Sequence, residues 1–249
     1  MTTIAMHLQK GGVGKTTMAV SLAWELAAAG RRTVVCDCDP QGNASSWLLE
    51  TRYDPTTELA DVLTGGARVN DAVVWISEEL GVLPTFGLSP ALNDYGKAGL
   101  ASEPFIIATA LEELRADYCI LDLGPGLGSI ETAALLATDE VILVMTPEEF
   151  SLDGIQVWST RAERMARGMR KQLHYERLIV NGLNRRISQM KRIHAEAQRR
   201  IRHVTTVLQD AGFRKAQEAH LPAQEFGIRG ENRTALAELA KELINGTGK

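Results

Sequence analysis

Residues 7–17 read HLQKGGVGKTT, a glycine-rich run set between an apolar segment, TIAMHL (3–8), and an alanine-rich one that begins at Thr16. Strand, loop, helix is the order that a phosphate-binding loop requires. Glycines let backbone N–H groups approach phosphate oxygens, and the helix N-terminus adds positive potential. In such a loop Gly11, Gly12, Val13 and Gly14 form the cradle, Lys15 bridges the terminal phosphates, and Thr16 offers its hydroxyl to magnesium, with Thr17 following. The general pattern G-x-x-x-x-G-K-[ST] fails at its first position, where Gln9 stands. KGGVGKTT takes its place, with a second lysine, Lys10, five residues before Lys15. Lys10 is badly placed to share the phosphates of Lys15. It is either a surface lysine or a cation offered to phosphates held by a second subunit, the job of an arginine finger.

Outward from this loop, short apolar runs alternate with longer helical patterns. The runs 3–8, 33–37, 80–84, 118–123, 140–145 and 177–183 are β-branched and brief, as buried parallel strands are. Helices are expected over 16–29, 103–116, 128–137, 152–171, 186–211 and 233–244, the first closed by Gly30 and the fifth by Gly212. Residues 43–70 carry no clear pattern. The expected fold is α/β: a mostly parallel twisted sheet with helices on both faces, in a single domain spanning residues 1–249.

Several further stretches match the loop in order. VVCDCDPQGNAS (34–45) ends an apolar run in D-x-D-P-Q-G-N, LGVLPTFGLSPAL (80–92) places a proline after a strand, and EEFSLDGI (148–155) opens a helix. Together with the early lysine, these resemble the ParA/MinD family of deviant Walker A ATPases, and within it the Soj-like ParA partition branch. The resemblance runs from residue 3 to about residue 245. It implies a P-loop NTPase of SIMIBI type that binds ATP and Mg2+, forms a homodimer in the ATP state and hydrolyses ATP slowly under a partner's stimulus. It also implies nonspecific DNA binding, and a ParB-type or other cargo adaptor as partner. Fewer than ten residues precede the loop, so the N-terminal operator-binding domain of larger relatives is not expected.

Acidic residues complete the expected site. Asp37 and Asp39 follow a strand at a spacing of two, which would point both toward one magnesium and its waters. As the family implies, Asp39 orients the attacking water and Asp37 joins the magnesium shell. Asp37 could instead cap the helix near Ala44. Asp122, ending CILD, fits the acid that holds magnesium-bound water. After it the chain reads Leu123-Gly124-Pro125-Gly126, where relatives have D-x-P-P or D-x-[TA]-P, and the extra glycine predicts a more mobile loop. Asn181 and Pro222 stand where the family contacts adenine, although Asn181 could equally form a turn.

The net charge of −4 hides a split. Residues 161–203 hold 13 Lys/Arg against Glu163, Glu176 and Glu196, while the rest holds 14 bases against 28 acids. Ile187, Met190, Ala197, Ile201, Val204 and Leu208 recur at helical spacings as a core stripe, leaving Arg185, Arg186, Arg192, Arg199, Arg200 and Arg202 as DNA-binding candidates. No aromatic residues interleave, so phosphate contact without sequence readout is expected.

Cys36, Cys38 and Cys119 lack partners for a metal or disulfide and read as buried thiols, not as the cysteines of an iron-sulfur reductase on this scaffold. No run of about 18 apolar residues suggests a membrane span, and no secretory signal precedes the loop. A cytoplasmic, nucleoid-associated protein is expected. The C-terminal ALAELAKELINGTGK lacks the bulky apolar face of a MinD-like membrane-binding helix.

Overall fold

A computed structural model describes residues 1–49, 56–87, 90–98, 103–148 and 151–246. Eight strands form one sheet: β1 (Thr2–His7), β2 (Thr33–Asp37), β3 (Val74–Trp75), β4 (Leu80–Leu83), β5 (Tyr118–Asp122), β6 (Glu140–Met145), β7 (Arg177–Leu183) and β8 (His203–Leu208). Their order is β3-β4-β2-β5-β1-β6-β7-β8, parallel throughout except for the short β3 against β4.

Strand alternation divides the core in two. Ile4 and Met6 of β1 face one apolar cluster and Ala5 faces the other. Helices α1 (Lys15–Ala28), α2 (Asn43–Leu49), α10 (Gly212–Glu218) and α11 (Gly230–Gly246) cover the first face. The second face lies under α3 (Leu59–Leu63), α4 (Val69–Ala72), α5 (Pro90–Ala98), α6 (Ile106–Glu112), α7 (Ser129–Leu136), α8 (Ser151–Gly168) and α9 (Ser188–Arg200). Each crossover returns the chain to the same end of the sheet, so the C-terminal ends of β1, β2, β5 and β7 gather there, the usual place for a ligand in an open α/β sheet.

The expected helix over 186–211 is overturned. Helix α9 stops at Arg200, Ile201 turns to φ −114° and ψ 136°, and His203–Leu208 pairs in parallel with β7. The β-branched run Val204-Thr205-Thr206-Val207 lies flatter in a strand than in a helix. Val204 packs toward the second-face cluster and Val207 toward the first, the alternation of a strand. The supposed stripe therefore breaks up: Ala197 is buried, but Ile187 at the start of α9 is 43% exposed. β3 and the short helices of the unassigned stretch had no expectation to meet. The other expected elements fall in place, with 103–116 shortened to α6. Residues 149–150 of EEFSLDGI and 88–89 of LGVLPTFGLSPAL lie outside the described residues.

The three thiols are free and buried, and burial pushes that of Cys119 far above its usual range. Cys38 sits one residue past β2, its sulfur 3.6 Å from that of Cys36.

Candidate nucleotide site

The loop after β1 closes on α1 through two glycines in the left-handed region, Gly12 (φ 73°) and Gly14 (φ 92°). The positive φ makes glycine necessary at both, and Gly14 has a second reason. A Cβ there would stand 2.2 Å from the Asn181 amide nitrogen. Asn181, on β7, donates that amide to the carbonyl of Val13 at 2.9 Å. A side chain expected beside adenine, or in a turn, thus bonds from β7 to the phosphate loop. The first turn of α1 holds no acid and no side-chain cap, leaving its N–H groups open to an anion. Pro222 sits in a turn held by two bonds, Trp47 Nε1 to Leu221 O (3.1 Å) and Gln224 Nε2 to Ser21 O (3.1 Å), which seat it beside α1 and α2.

The two lysines point differently. Lys15 is buried, its ammonium donating to the carbonyl of Lys10 at 3.1 Å inside the loop, and burial lowers its pKa. Lys10 turns outward to an ion pair with Glu148 at 2.5 Å, the side chains 43% and 53% exposed. Such a surface pair is worth under about 1 kcal/mol, so Lys10 is held at little cost to its release.

Asp37 and Asp122 are register partners across β2 and β5 and are both fully buried. Burial raises both carboxyls, Asp37 to about 7 and Asp122 well above the usual range, and the Asp37 charge adds to the rise of Asp122. Their environments differ. Asp37 accepts the Ser45 N–H (2.8 Å), the Ser45 hydroxyl (2.7 Å) and, at 3.3 Å, the Asp39 N–H. It pins the loop, which narrows its expected part in a magnesium shell to the less committed oxygen. Among the described residues neither Asp122 oxygen has a partner at hydrogen-bond geometry, while the nearby Thr16 hydroxyl favours its ionised form. A buried orphan carboxylate beside a hydroxyl and a lysine is a hard-oxygen site short of positive charge, and magnesium fits it. Among the described residues no cluster of three or more His, Cys, Asp or Glu could hold a metal. Magnesium, which is bound through one or two carboxylates and phosphate oxygens, needs none.

Asp39 does not share a strand face with Asp37, as their spacing suggested. The β2 strand ends at Asp37, and residues 39–42 form a turn closed by Gly42 N–H to Asp39 O at 2.9 Å. Gly42 (φ 64°) packs so closely that a Cβ would lie 2.5 Å from Thr85 O. This turn, rather than alternation, sets Asp39 half-exposed beside Gly124, 3.7 Å from where a Cβ on Gly124 would lie.

The segment after Asp122 is tied to the helix that follows it. A Cβ on Gly124 would meet Glu131 Oε1 at 2.8 Å, and the other Glu131 oxygen accepts the Gly128 N–H at 2.9 Å. The glycine makes room for the carboxylate that anchors the loop at Gly128. On the far side His7 Nε2 bonds to Gly126 O at 2.8 Å, and Trp158 Nε1 donates to His7 Nδ1 at 2.7 Å. Glu131 and His7 were both missed in the sequence. Glu131 carried one signal: it stands at the third position of a helix that opens with glycine and serine.

Burial lowers the His7 pKa from 6.5 to about 4. The folded chain therefore holds His7 neutral where the unfolded chain protonates it. Its contribution is complete above pH 6.5 and is lost as pH falls toward 4, by about 3 kcal/mol. Denaturant unfolding of the native chain and of His7→Gln across this range should show that difference, and parallel curves would contradict it.

The basic candidates are all exposed but do not form one patch. Arg185 and Arg186 follow β7 at the nucleotide end of the sheet, with Arg192 near the start of α9. Arg199 and Arg200 close that 13-residue helix and Arg202 follows it, roughly 20 Å along its axis from its start. Arg199 and Arg200 pair with Glu196, Arg202 with Glu176 and Arg185 with Glu231. No ion pair is seen for Arg186 or Arg192 among the described residues.

Fold and loop together define a P-loop nucleotide-binding protein. A family model described as an AAA domain matches residues 1–175. The chain is 29% identical over 254 residues to the chromosome partitioning protein ParA of Caulobacter vibrioides, covering 97% of this chain and 93% of that one. It is 29% identical over 247 residues to the sporulation initiation inhibitor protein Soj of Bacillus subtilis, covering 96% and 97%. Among solved structures, the septum site-determining protein MinD of Pyrococcus horikoshii, complexed with Mg-ADP, superposes with a TM-score of 0.81 at 24% identity, over 99% of this chain and 97% of that one. The chain belongs to this AAA-domain family and, within it, to the ParA/MinD-type P-loop ATPases.

Proposed function

We propose that the chain is an ATP-hydrolysing positioning switch of the ParA kind: ATP and magnesium drive dimerisation, the dimer binds DNA without sequence readout, and a ParB-type partner stimulates hydrolysis and release. The orphan Asp122 beside Thr16 and Lys15, at the mouth of an open helix N-terminus, carries the nucleotide half. The Lys15 ammonium leaves the Lys10 carbonyl for the terminal phosphates. Thr16 and Asp122 hold the magnesium, which neutralises phosphate charge when bound. Asp37 fixes the backbone of Asp39, and Asp39 orients the attacking water. Asn181 and the Pro222 turn flank the base. Lys10 exchanges Glu148 for the phosphates of the facing subunit, so that chemistry waits for the dimer.

The DNA half rests on the exposed arginines and on the partition relatives. The C-terminal helix supports this over a membrane-bound switch, because Leu236, Leu239 and Leu243 of α11 are buried against α1 and the sheet. Among the described residues no helix is long and apolar enough to cross a membrane. Charge reversal at Arg186 and Arg192, which form no ion pair among the described residues, should weaken ATP-dependent DNA binding. It should also lower the log–log salt slope by roughly two, about one for each phosphate that is no longer neutralised. Reversal at Arg199 and Arg200, already shared with Glu196, should cost less. Fluorescence anisotropy with a random duplex across a salt series checks both, and unchanged binding in both double variants would remove this face from the DNA interface.

A further inference from the structure

His7 takes no part in the chemistry assigned above, yet two directional bonds fix it. It ends β1, is fully buried and joins elements far apart in sequence. The Trp158 indole N–H can only donate, so His7 Nδ1 is the acceptor and the ring proton sits on Nε2. His7 Nε2–H then donates to the Gly126 carbonyl, within the loop that joins Asp122 to α7. Trp158 is itself fully buried, edge-on to Tyr175 at 5.4 Å, and is a residue of α8. One turn further along α8, Arg161 reaches the Gln9 side chain at 3.4 Å. Helix α8 thus grips the strand and loop that enter the nucleotide site at His7 and Gln9, while Arg161 and Arg164 face solvent.

We propose that His7 is a positioning residue for hydrolysis. Through Gly126 it fixes the loop after Asp122 over the nucleotide site, and through Trp158 it ties that loop to the seating of α8. This rests on the ATPase reading of the site and adds a regulatory path to it. Trp158 reaches Gly126 only by way of the imidazole in this path, so His7 is its joint.

The test uses His7→Phe, which keeps an aromatic ring and removes both nitrogens. Losing one buried hydrogen bond that positions the loop should slow single-turnover ATP hydrolysis about tenfold. ATP affinity should stay within about twofold, and amide exchange at residues 124–128 should quicken about tenfold, since no phosphate contact is removed. His7→Gln, whose amide N–H can reach the Gly126 carbonyl, should recover most of the turnover. Native turnover and exchange in His7→Phe would overturn the proposal. So would turnover and affinity falling together, which marks a merely structural residue. If His7→Phe does not fold, Trp158→Phe replaces it. Faster exchange at 124–128 then supports the tie, and native exchange there overturns it. If the native chain hydrolyses no ATP, the functional reading fails, but exchange in the His7 variant still decides the tie on its own.

Discussion

Asp39→Ala binds ATP as the native chain does and hydrolyses it at least about a hundredfold more slowly, the loss expected when a group that orients an attacking water is removed. Affinity is spared because, among the described residues, Asp39 makes no hydrogen bond or ion pair with the phosphate loop. Its Oδ1 accepts the Gln41 N–H at 3.0 Å, and among the described residues its other oxygen has no bond. The turn that carries it also survives the substitution. Gly42 is packed against Thr85 and Gly87, and Asp37 holds the Asp39 N–H, neither depending on the carboxylate that is removed. Nucleotide that binds and is not consumed should trap the dimer. Static light scattering with ATP and a DNA duplex reads this as a doubled, DNA-bound mass, alongside phosphate release and nucleotide affinity. A monomeric variant that releases phosphate at the native rate would return Asp39 to the part of a turn former.

Lys10→Ala is the second large effect. It should keep nucleotide affinity and lose the dimer-dependent part of hydrolysis by roughly a thousandfold, the scale of a cation supplied in trans. The cradle does not need the Lys10 side chain, since Lys15 bonds to the Lys10 carbonyl. The side chain sits instead on Glu148, whose carboxyl it holds below the usual range. Turnover per chain should rise with protein concentration for the native protein and stay flat for the variant. A variant whose turnover per chain still rises with concentration would leave Lys10 with nothing but its surface pair.

The parts legible in the sequence were those in which residue type and chain order specify geometry together. A glycine loop between an apolar strand and a helix can be read locally, and so can carboxylates at strand ends. The parts missed depend on packing between distant segments. His194-Ala-Glu-Ala-Gln-Arg-Arg-Ile201 and His203–Leu208 share apolar spacings of three, four and seven, so periodicity ran the helix on into a strand. Only the β-branched run and its pairing with β7 separate them. The carboxylate packed against Gly124 comes from Glu131, on the next helix. His7 looked like one more residue of an apolar run, and its partners lie 119 and 151 positions away. The basic stretch was correct in sign and misleading in shape. One helix carries its arginines to both ends of the sheet, and several have their charge taken up by Glu196, Glu176 and Glu231.

Mixing two inactive variants tests most directly whether Lys10 works across a dimer. In an equimolar mixture of Lys10→Ala and Asp39→Ala chains, a mixed dimer has one site with its own Asp39 and the neighbour's Lys10 both intact. About half of randomly paired dimers are mixed, so phosphate release should recover to about a quarter of the native rate. If Lys10 serves the nucleotide of its own chain, every site lacks one of the two groups, and the mixture stays as slow as either variant alone.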